Sequence, residues 1–395
     1  MKILCIFGTR PEAIKLAPVI QELRKNKKKF NLKICSTGQH KELLKQALDN
    51  FDLKTDYDFE IMKTNQSLEN LTIKVFKEVS KILDTFNPEI VMVHGDTTTS
   101  FAASLAAFYK KIKIVHVEAG LRSFVLDNPW PEEFNRKAIS DMTTYHFAPT
   151  NLSKKNLLSE GVLKKNIIVT GNTVIDSLFL ALKKIERSKK IKDSIQKEFS
   201  LVGLNDQNLN AWMESKRKLV LITGHRRESF GEGFKNICSA LKSLSMSNPH
   251  VDFVYPVHLN PNVRDSIKLF FGKACFSKTK RRLNNLFFID PLGYFPFIKL
   301  MQLSSIVLTD SGGIQEEAPS LKKPVLLMRK TTERPEAIEA GTVKKVGTNT
   351  KIIISEVQNL LDNELAYKEM ISRKNPYGDG KASERIFNFL KKLNR

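Results

Sequence analysis

The sequence has few cysteines and no long apolar segment. Its 395 residues include four Cys, which lie far apart and form no CxxC pair. This spacing predicts neither a zinc site nor a disulfide framework, and it favours a reducing compartment. No apolar run approaches the roughly 20 residues that span a bilayer. The short apolar run after Lys2 resembles a buried first strand more than a secretory signal. We therefore expect a cytoplasmic protein without a membrane partner.

Glycine-rich fingerprints and repeats are also missing. The chain contains no GxGxxG segment, so a bound dinucleotide cofactor is not predicted, and it has no internal repeat or low-complexity tract. A content of 41% hydrophobic and 27% charged residues is ordinary for a globular protein. The length predicts about two to three domains.

Acidic residues are outnumbered by basic ones, 42 against 64, which gives a formal net charge of +22. Nucleic-acid binding would require these cations on one stripe, preferably with aromatic side chains for base stacking. Here they are scattered over runs at 27–29, 183–184, 189–190, 278–282 and 344–345. The charge therefore predicts attraction of an anionic substrate rather than a nucleic-acid partner.

Strand and helix patterns alternate along almost the whole chain, which predicts an α/β fold with parallel sheets. The predicted strands are 2–7, 32–36, 90–94, 113–117, 145–148, 167–170, 219–223, 251–257, 286–289, 305–308 and 324–328. A polar stretch, 187–218, divides them into two sets. We expect two Rossmann-like domains that face a cleft, one over 1–172 and one over 173–375, with a last helix at about 376–395 that crosses back onto the first domain.

Three ionisable residues follow predicted strands directly. Asp96 ends VHGD, Glu118 ends HVE, and His225 follows KLVLITG. In open α/β sheets, ligands bind beyond the carboxyl ends of the strands. Two carboxylates and an imidazole at that edge predict acid/base catalysis.

A further acid candidate is Glu132, which follows a Pro-Trp-Pro segment that stiffens its loop. Glu132 and Glu133 beside Arg136 could equally form a surface ion cluster.

A metal site is the alternative interpretation of two histidine pairs. His94 with Asp96 and His116 with Glu118 are each two residues apart, and such pairs share one face of a strand. Both histidines lie inside apolar runs, however, where a buried hydrogen-bonded imidazole is common. We predict no metal.

Two loops are suited to phosphate groups. In GTRPEAIK, Gly8 permits a sharp exit from the first strand and Arg10 stands at a helix N-terminus. In LTDSGGIQEE, Ser311, Gly312 and Gly313 lie between an apolar strand and a helix, so backbone N–H groups and a hydroxyl can hold a diphosphate. Glu316 and Glu317 cannot point the same way on a helix, which leaves one of them to reach a ribose diol.

Long motifs occur in a fixed order and resemble those of the bacterial non-hydrolysing UDP-N-acetylglucosamine 2-epimerases. They are GTRPEAIK, HGDTTTS, HVEAGLRS, PWPEEFNR, GNTVID, GHRRES, YPVHLNP, LTDSGGIQEEAPSL, TTERPEA and NPYGDGKAS. The resemblance covers the whole chain. It implies a glycosyltransferase-B-like fold, usually dimeric, and reversible conversion of UDP-GlcNAc to UDP-N-acetylmannosamine by elimination and re-addition of UDP, without NAD or an essential metal.

The resemblance also implies site residues. Its acid/base groups fall on Asp96, Glu118, Glu132 and His225. Its substrate-binding groups fall on Arg10, Lys15, Arg136, Phe297, Ser311, Gly312, Gly313, Glu317 and Arg334. Many relatives bind a second, activating UDP-GlcNAc through a QHRQ-like segment and an Arg after IMK. Here Glu42 and Asn65 replace the neutral and cationic residues at those places, which puts that activation in doubt.

The residues leave two other activities open. One is a family enzyme that acts on another UDP-acetamido sugar or hydrolyses the substrate to free N-acetylmannosamine. The other is a retaining UDP-sugar glycosyltransferase of the same fold, which would need no base at C2. The implied product would serve surface polysaccharide synthesis.

Overall fold

The strands of the chain form two separate sheets, and both are wholly parallel. In the computed structural model, residues 1–38, 41–59, 61, 66–226, 230–277 and 283–394 are described, and of residues 41–43 only the backbone. The chain divides into an N-terminal unit, Met1–Leu180 with Tyr377–Arg395, and a C-terminal unit, Ala181–Pro376. The predicted α/β class with two parallel sheets is confirmed.

The sheet of the N-terminal unit has seven strands in the order β3-β2-β1-β4-β5-β6-β7. The strands are β1 (Lys2–Phe7), β2 (Asn31–Ser36), β3 (Tyr57–Asp58), β4 (Ile90–His94), β5 (Lys113–Val117), β6 (Tyr145–Ala148) and β7 (Ile167–Val169). The helices are α1 (Arg10–Arg24), α2 (Lys41–Asn50), α3 (Leu68–Phe86), α4 (Thr98–Tyr109), α5 (Glu132–Met142), α6 (Asn151–Ser159), α7 (Thr173–Arg187) and α17 (Ala382–Leu393).

The sheet of the C-terminal unit has six strands in the order β10-β9-β8-β11-β12-β13. The strands are β8 (Lys218–Thr223), β9 (Val251–Pro256), β10 (Leu286–Ile289), β11 (Ile306–Thr309), β12 (Val325–Leu327) and β13 (Val343–Lys345). The helices are α8 (Lys189–Leu201), α9 (Asp206–Met213), α10 (Glu232–Ser247), α11 (Pro261–Phe271), α12 (Tyr294–Leu303), α13 (Gly312–Glu317), α14 (Pro335–Glu339), α15 (Thr350–Asp362) and α16 (Glu364–Ser372).

Both sheets have the strand order of a doubly wound fold, 3-2-1-4-5-6, with one strand added in the first. The central strands are apolar throughout, because helices cover both faces of a parallel sheet. Every residue of β4 is buried, and so is every residue of β1 and β8 after its first lysine. The strand order reverses between β1 and β4 in one unit and between β8 and β11 in the other. Ligands of doubly wound sheets bind at such switch points.

The C-terminal segment returns to the N-terminal unit and is fixed there by a helix cap. The Asp176 carboxylate on α7 accepts hydrogen bonds from the backbone N–H groups of Ala382 and Ser383, at 3.1 and 2.8 Å. Arg385 donates to the Thr170 carbonyl at 2.9 Å. The expected domain boundary after residue 172 precedes α7, whereas the unit as observed extends to Leu180.

The polar stretch 187–218 is not a plain linker. It forms α8 and α9 and belongs to the C-terminal unit, where Trp212 is buried and donates to the Asp252 carboxylate on β9 at 2.8 Å. Among the residues that the structure describes, no helix is both long enough and apolar enough to cross a membrane. All four cysteines are buried as free thiols.

Candidate functional site

In the N-terminal unit, the loops after β1 and β4 meet at the switch point. Arg10 is the first residue of α1 and is half-buried, and Asp96 lies between β4 and α4. Gly8, which separates β1 from α1, has no room for a side chain, since a Cβ would lie 2.3 Å from the Thr99 hydroxyl oxygen. The two loops are therefore packed against each other.

The Glu12 side chain connects these two loops through hydrogen bonds. Its Oε2 accepts hydrogen bonds from the backbone N–H groups of Gly8 and Thr9, at 3.0 and 2.7 Å. Its Oε1 accepts from the hydroxyls of Thr97 and Ser100, at 2.6 and 3.0 Å. Burial raises the pKa of this carboxyl, and the hydrogen bonds oppose that effect. Glu12 thus fixes the positions of the two residues before Arg10 and of residues shortly after Asp96.

Asp96 forms an ion pair with Arg136 of α5. The Arg136 Nη2 and Nε lie 2.7 and 2.9 Å from Asp96 Oδ2. Arg136 Nη1 also donates to Glu133 at 2.9 Å. Glu133 is buried, so the alternative of a surface ion cluster is wrong for this pair. Glu132, the first residue of α5, is only partly buried, and its side chain makes no hydrogen bond or ion pair with a residue in the described part of the chain.

Glu118 follows β5, the neighbour of β4, and several nitrogen atoms converge on one of its oxygens. Lys15 Nζ lies 2.5 Å and the Asn172 side-chain amide nitrogen 2.8 Å from Glu118 Oε2. The His94 ring nitrogen Nε2 is 3.7 Å from the same atom. The backbone of Glu118 has φ +65°, a conformation uncommon outside glycine. The structure thus brings Asp96 and Glu118, on two loops of one sheet edge, together with Arg136 of α5 and Lys15 of α1.

The two strand histidines are buried and do not form a metal site with these acids. His116 Nε2 lies 2.7 Å from the Gly95 carbonyl oxygen, as a buried structural histidine would. Burial lowers the pKa of His94 to about 4 and that of His116 to about 3, so both rings are neutral at pH 7. Among the described residues, no group of three or more His, Cys, Asp or Glu side chains is arranged to hold a metal ion.

In the C-terminal unit, the loops after β8 and β11 meet through Asp310. One carboxylate oxygen of Asp310, Oδ2, accepts the backbone N–H groups of His225 and Arg226, at 2.7 and 2.8 Å. The His225 ring is partly exposed and stacks on His258 with 5.2 Å between ring centroids. Burial lowers the pKa of His225, and the Asp310 charge opposes this shift.

The loop Ser311–Gly313 opens α13, and its two glycines have different surroundings. A Cβ on Gly312 would lie 2.4 Å from Arg334 Nη1, so this glycine makes room for the guanidinium. A Cβ on Gly313 would meet nothing within 4 Å, which leaves its backbone open to a ligand. Arg334 itself is held by the buried Glu316, with 2.6 Å from Nε to Oε1.

Glu317 points away from Glu316, as the helix geometry predicts. Its Oε1 accepts from the Tyr294 hydroxyl at 3.3 Å. Phe297 lies on the same helix as Tyr294, α12, and is half-buried. Near Arg334, Glu333 also contacts Arg329; burial would raise the pKa of Glu333, but these two arginines lower it to about 2.

Three residues with evident roles at these edges were missed by the sequence interpretation: Glu12, Asn172 and Asp310. Asp310 follows β11 directly, so the strand-end rule that selected Asp96 would have found it. Glu12 and Asn172 lie within quoted motifs, but nothing in their spacing indicates which atoms they contact. Two positions are expected to bear on substrate activation, and both the Glu42 side chain and the whole of Asn65 lie outside what the structure describes.

Comparisons with known proteins agree along the whole chain. The family model described as UDP-N-acetylglucosamine 2-epimerase matches residues 21–391. The Campylobacter jejuni UDP-N-acetylglucosamine 2-epimerase is 50% identical over 389 residues, which cover 98% of this chain and 97% of the relative. The Escherichia coli K12 enzyme of the same name is 47% identical, with 99% and 98% covered.

Solved structures give the same result. The crystal structure of the Neisseria meningitidis UDP-GlcNAc 2-epimerase bound to UDP-GlcNAc has 48% identity and a TM-score of 0.87, with 99% of this chain and 100% of that chain covered. The Methanocaldococcus jannaschii enzyme in complex with UDP-GlcNAc and UDP has 33% identity and a TM-score of 0.77, with the same coverage. The chain belongs to the UDP-N-acetylglucosamine 2-epimerase family, as its ordered motifs predict.

Proposed function

We propose that this chain is a non-hydrolysing epimerase that interconverts UDP-N-acetylglucosamine and UDP-N-acetylmannosamine. Family membership supports the substrate and the reaction class. The observation that carries the proposal is the placement of Asp96 and Glu118 after the neighbouring strands β4 and β5, where Asp96 pairs with the buried Arg136 and Glu118 with the partly buried Lys15. Such a pair supplies acid/base groups at the edge where doubly wound sheets bind ligands.

The chemistry explains why several acid/base groups are required. The C2 proton of the sugar is not adjacent to a carbonyl, so its direct removal is prohibitive. In the proposed route, the C2–H and C1–O bonds break and a C1=C2 double bond forms. The products of this elimination are UDP and 2-acetamidoglucal. UDP then re-adds at C1 while a proton arrives at the opposite face of C2. Asp96, Glu118, Glu132 and His225 form the proposed acid/base set. The route is redox-neutral and uses no nicotinamide.

Binding of UDP is proposed for the residues that the family resemblance implies. Arg10 at the start of α1 supplies positive charge for the departing diphosphate. In the C-terminal unit, Ser311, Gly312 and Gly313 present a hydroxyl and backbone N–H groups, and Glu317 takes the ribose diol. Phe297 packs against the uracil. Arg334 contributes from its position over Gly312, and Lys15 and Arg136 hold the catalytic carboxylates in place next to the sugar.

The setting of the enzyme is also proposed. UDP-N-acetylmannosamine is an activated sugar, so the product would serve surface polysaccharide synthesis from the cytoplasm. A homodimer is supported by exposed apolar side chains on three neighbouring helices, which we call the α3–α5 face: Ile73, Phe108, Tyr109 and Phe134. Aromatic contacts link α3 with α4, between Phe76 and Tyr109, and α4 with α5, between Phe101 and Phe134, so the three helices that carry these side chains are neighbours.

The direct test is incubation of the purified protein with UDP-GlcNAc alone, followed by ¹H and ³¹P NMR of the products. We expect an equilibrium mixture of UDP-GlcNAc and UDP-ManNAc, without added NAD. Release of free N-acetylmannosamine and UDP would instead identify a hydrolysing epimerase. No reaction without a sugar acceptor would favour a glycosyltransferase.

A further inference from the structure

The two carboxylate oxygens of Asp310 have different surroundings. One of them anchors the loop after β8, and the other takes no part in that anchoring. Asp310 lies directly after β11 and is 2% exposed. Its Oδ2 holds the backbone of His225 and Arg226. Its Oδ1 is buried and has no hydrogen-bond partner among the described residues. Burial of a carboxylate oxygen without a hydrogen-bond partner destabilises the fold, so this oxygen calls for a functional explanation.

The His225 ring is an ionisable group close to that oxygen. Nδ1 of His225 lies 3.6 Å from Asp310 Oδ1, slightly beyond hydrogen-bond distance, and a small rotation of the ring closes the gap. The backbone of His225 is already held by the other oxygen of the same carboxylate. Asp310 therefore fixes the backbone of the loop after β8 through Oδ2, and it presents Oδ1 as an acceptor to Nδ1 of the His225 ring.

We propose that Asp310 is the positioning residue of His225, accepting its Nδ1–H so that Nε2 is the ring nitrogen that exchanges a proton with substrate. A carboxylate in this position selects one tautomer of a neutral imidazole and stabilises the imidazolium once the ring takes up a proton. This assignment rests on the proposed acid/base role of His225 in epimerisation.

The other groups around His225 favour the neutral ring. His258 stacks on the His225 ring, with 14° between the ring planes, and Arg226 is the next residue along the chain. Burial lowers the pKa of His225 most, and the charges of His258 and Arg226 lower it further; Asp310 alone among the named neighbours raises it. The Tyr255 hydroxyl donates to the Gly224 carbonyl, and burial raises its pKa, so it stays neutral. Loss of the Asp310 charge must therefore lower the pKa of His225.

The test is the Asp310→Asn variant, which keeps the shape and an oxygen for the two backbone N–H groups but removes the charge. We expect kcat to fall by about 10²-fold or more, and the limb of the kcat/KM–pH profile that reports His225 to move to lower pH. Asp252→Asn is the matched control, because Asp252 is equally buried in the same unit but bonds Trp212 and Arg217. This control should leave the pH profile unchanged.

Two further measurements separate positioning from folding. The double variant Asp310→Asn/His225→Gln should lose no more activity than His225→Gln alone, since Asp310 acts through His225. Long-range ¹H–¹⁵N NMR, with the His225 signals assigned by their loss in His225→Gln, should show the Nδ1–H tautomer in the wild type and its loss in Asp310→Asn. The NMR result does not depend on epimerase activity, so it tests the pair even if the proposed reaction is wrong. An unchanged tautomer, or additive losses in the double variant, would overturn the proposal.

Discussion

At the residue scale, Glu118 shows how local contacts define a catalytic candidate. Its Oε2 receives hydrogen bonds from a lysine ammonium and an asparagine amide. Hydrogen bonds to charged groups are worth about 1.5–3 kcal/mol each, so the side chain is held in one orientation. Asn172 in turn donates its backbone N–H to the Tyr377 carbonyl at 2.7 Å, which ties Glu118 to the returning C-terminal segment.

We predict that Glu118→Gln and Asp96→Asn keep UDP affinity but lose activity. Both changes preserve shape and hydrogen bonding while they remove proton transfer, so kcat should fall about 10²-fold or more. UDP affinity is measured by calorimetry and turnover by a coupled assay. Glu160→Gln is the control, since Glu160 pairs with Arg122 in the same unit, away from the switch point. Near wild-type turnover in either variant would remove that residue from the acid/base set.

Strand-end position was sufficient to select Asp96, Glu118 and His225 from the sequence, because parallel strands deliver the residues after them to one edge. The residues that hold them in position were not predicted in the same way. Glu12, Asn172 and Asp310 act through contacts with residues 54 to 88 positions away, which no local pattern encodes. The sequence indicated Arg136 only as a possible partner of Glu132 and Glu133, its place near the substrate came from the family resemblance, and its ion pair with Asp96 required the structure.

At the element scale, strands β4, β5 and β6 each carry one buried histidine. They are His94, His116 and His146, and the last two are cross-strand partners. Burial lowers the pKa of His94 and His146 to about 4 and that of His116 to about 3. The unfolded chain binds protons on these rings near pH 6.5, whereas the folded sheet does not. Their contribution to stability is therefore present above pH 6.5 and is lost as the pH falls toward 4.

We predict that acid destabilises the N-terminal sheet through these rings. Each histidine should contribute a slope of about 1.4 kcal/mol per pH unit below pH 6.5. Urea unfolding at pH 7, 6 and 5 measures how the free energy of unfolding changes with pH. Hydrogen exchange of the β4–β6 segments at the same pH values shows whether the change lies in this sheet. His116→Gln should flatten it by that amount, whereas the control His250→Gln, at an exposed position, should not. Equal slopes in the three proteins would contradict the prediction.

The two strands that the sequence missed, β3 and β13, each lie at the edge of a sheet, although the edge strands β7 and β10 were predicted. β3 has two residues, and β13 has one buried residue followed by two exposed lysines, so neither has an apolar run or a clear alternation. β1, β4 and β8 were predicted within one residue because burial on both faces requires a continuous apolar run. Helices α8 and α9 were read as a dividing stretch because their surfaces are mostly polar.

At the scale of the whole molecule, the α3–α5 face exposes apolar side chains that no contact within the described part of a single chain covers. Phe108 and Tyr109 are 51% and 67% exposed, and adjacent exposed aromatic side chains typically mark an interface. We predict a dimer of twice the 45.0 kDa chain mass in light scattering after gel filtration. Tyr109→Asp should give monomers, whereas Leu365→Asp, at an isolated exposed leucine, should not. A monomeric wild type would contradict the proposed dimer.

The central claim is that the sugar loses its C2 proton while UDP is detached and regains one from groups that exchange with solvent. The most direct measurement is incubation with UDP-GlcNAc in D₂O, followed by ¹H NMR and mass spectrometry of both nucleotide sugars. We expect UDP-ManNAc with one deuterium at C2 and no deuterium at any other carbon. Formation of UDP-ManNAc that retains the C2 proton, or deuterium at C3 or C4, would contradict the proposed reaction.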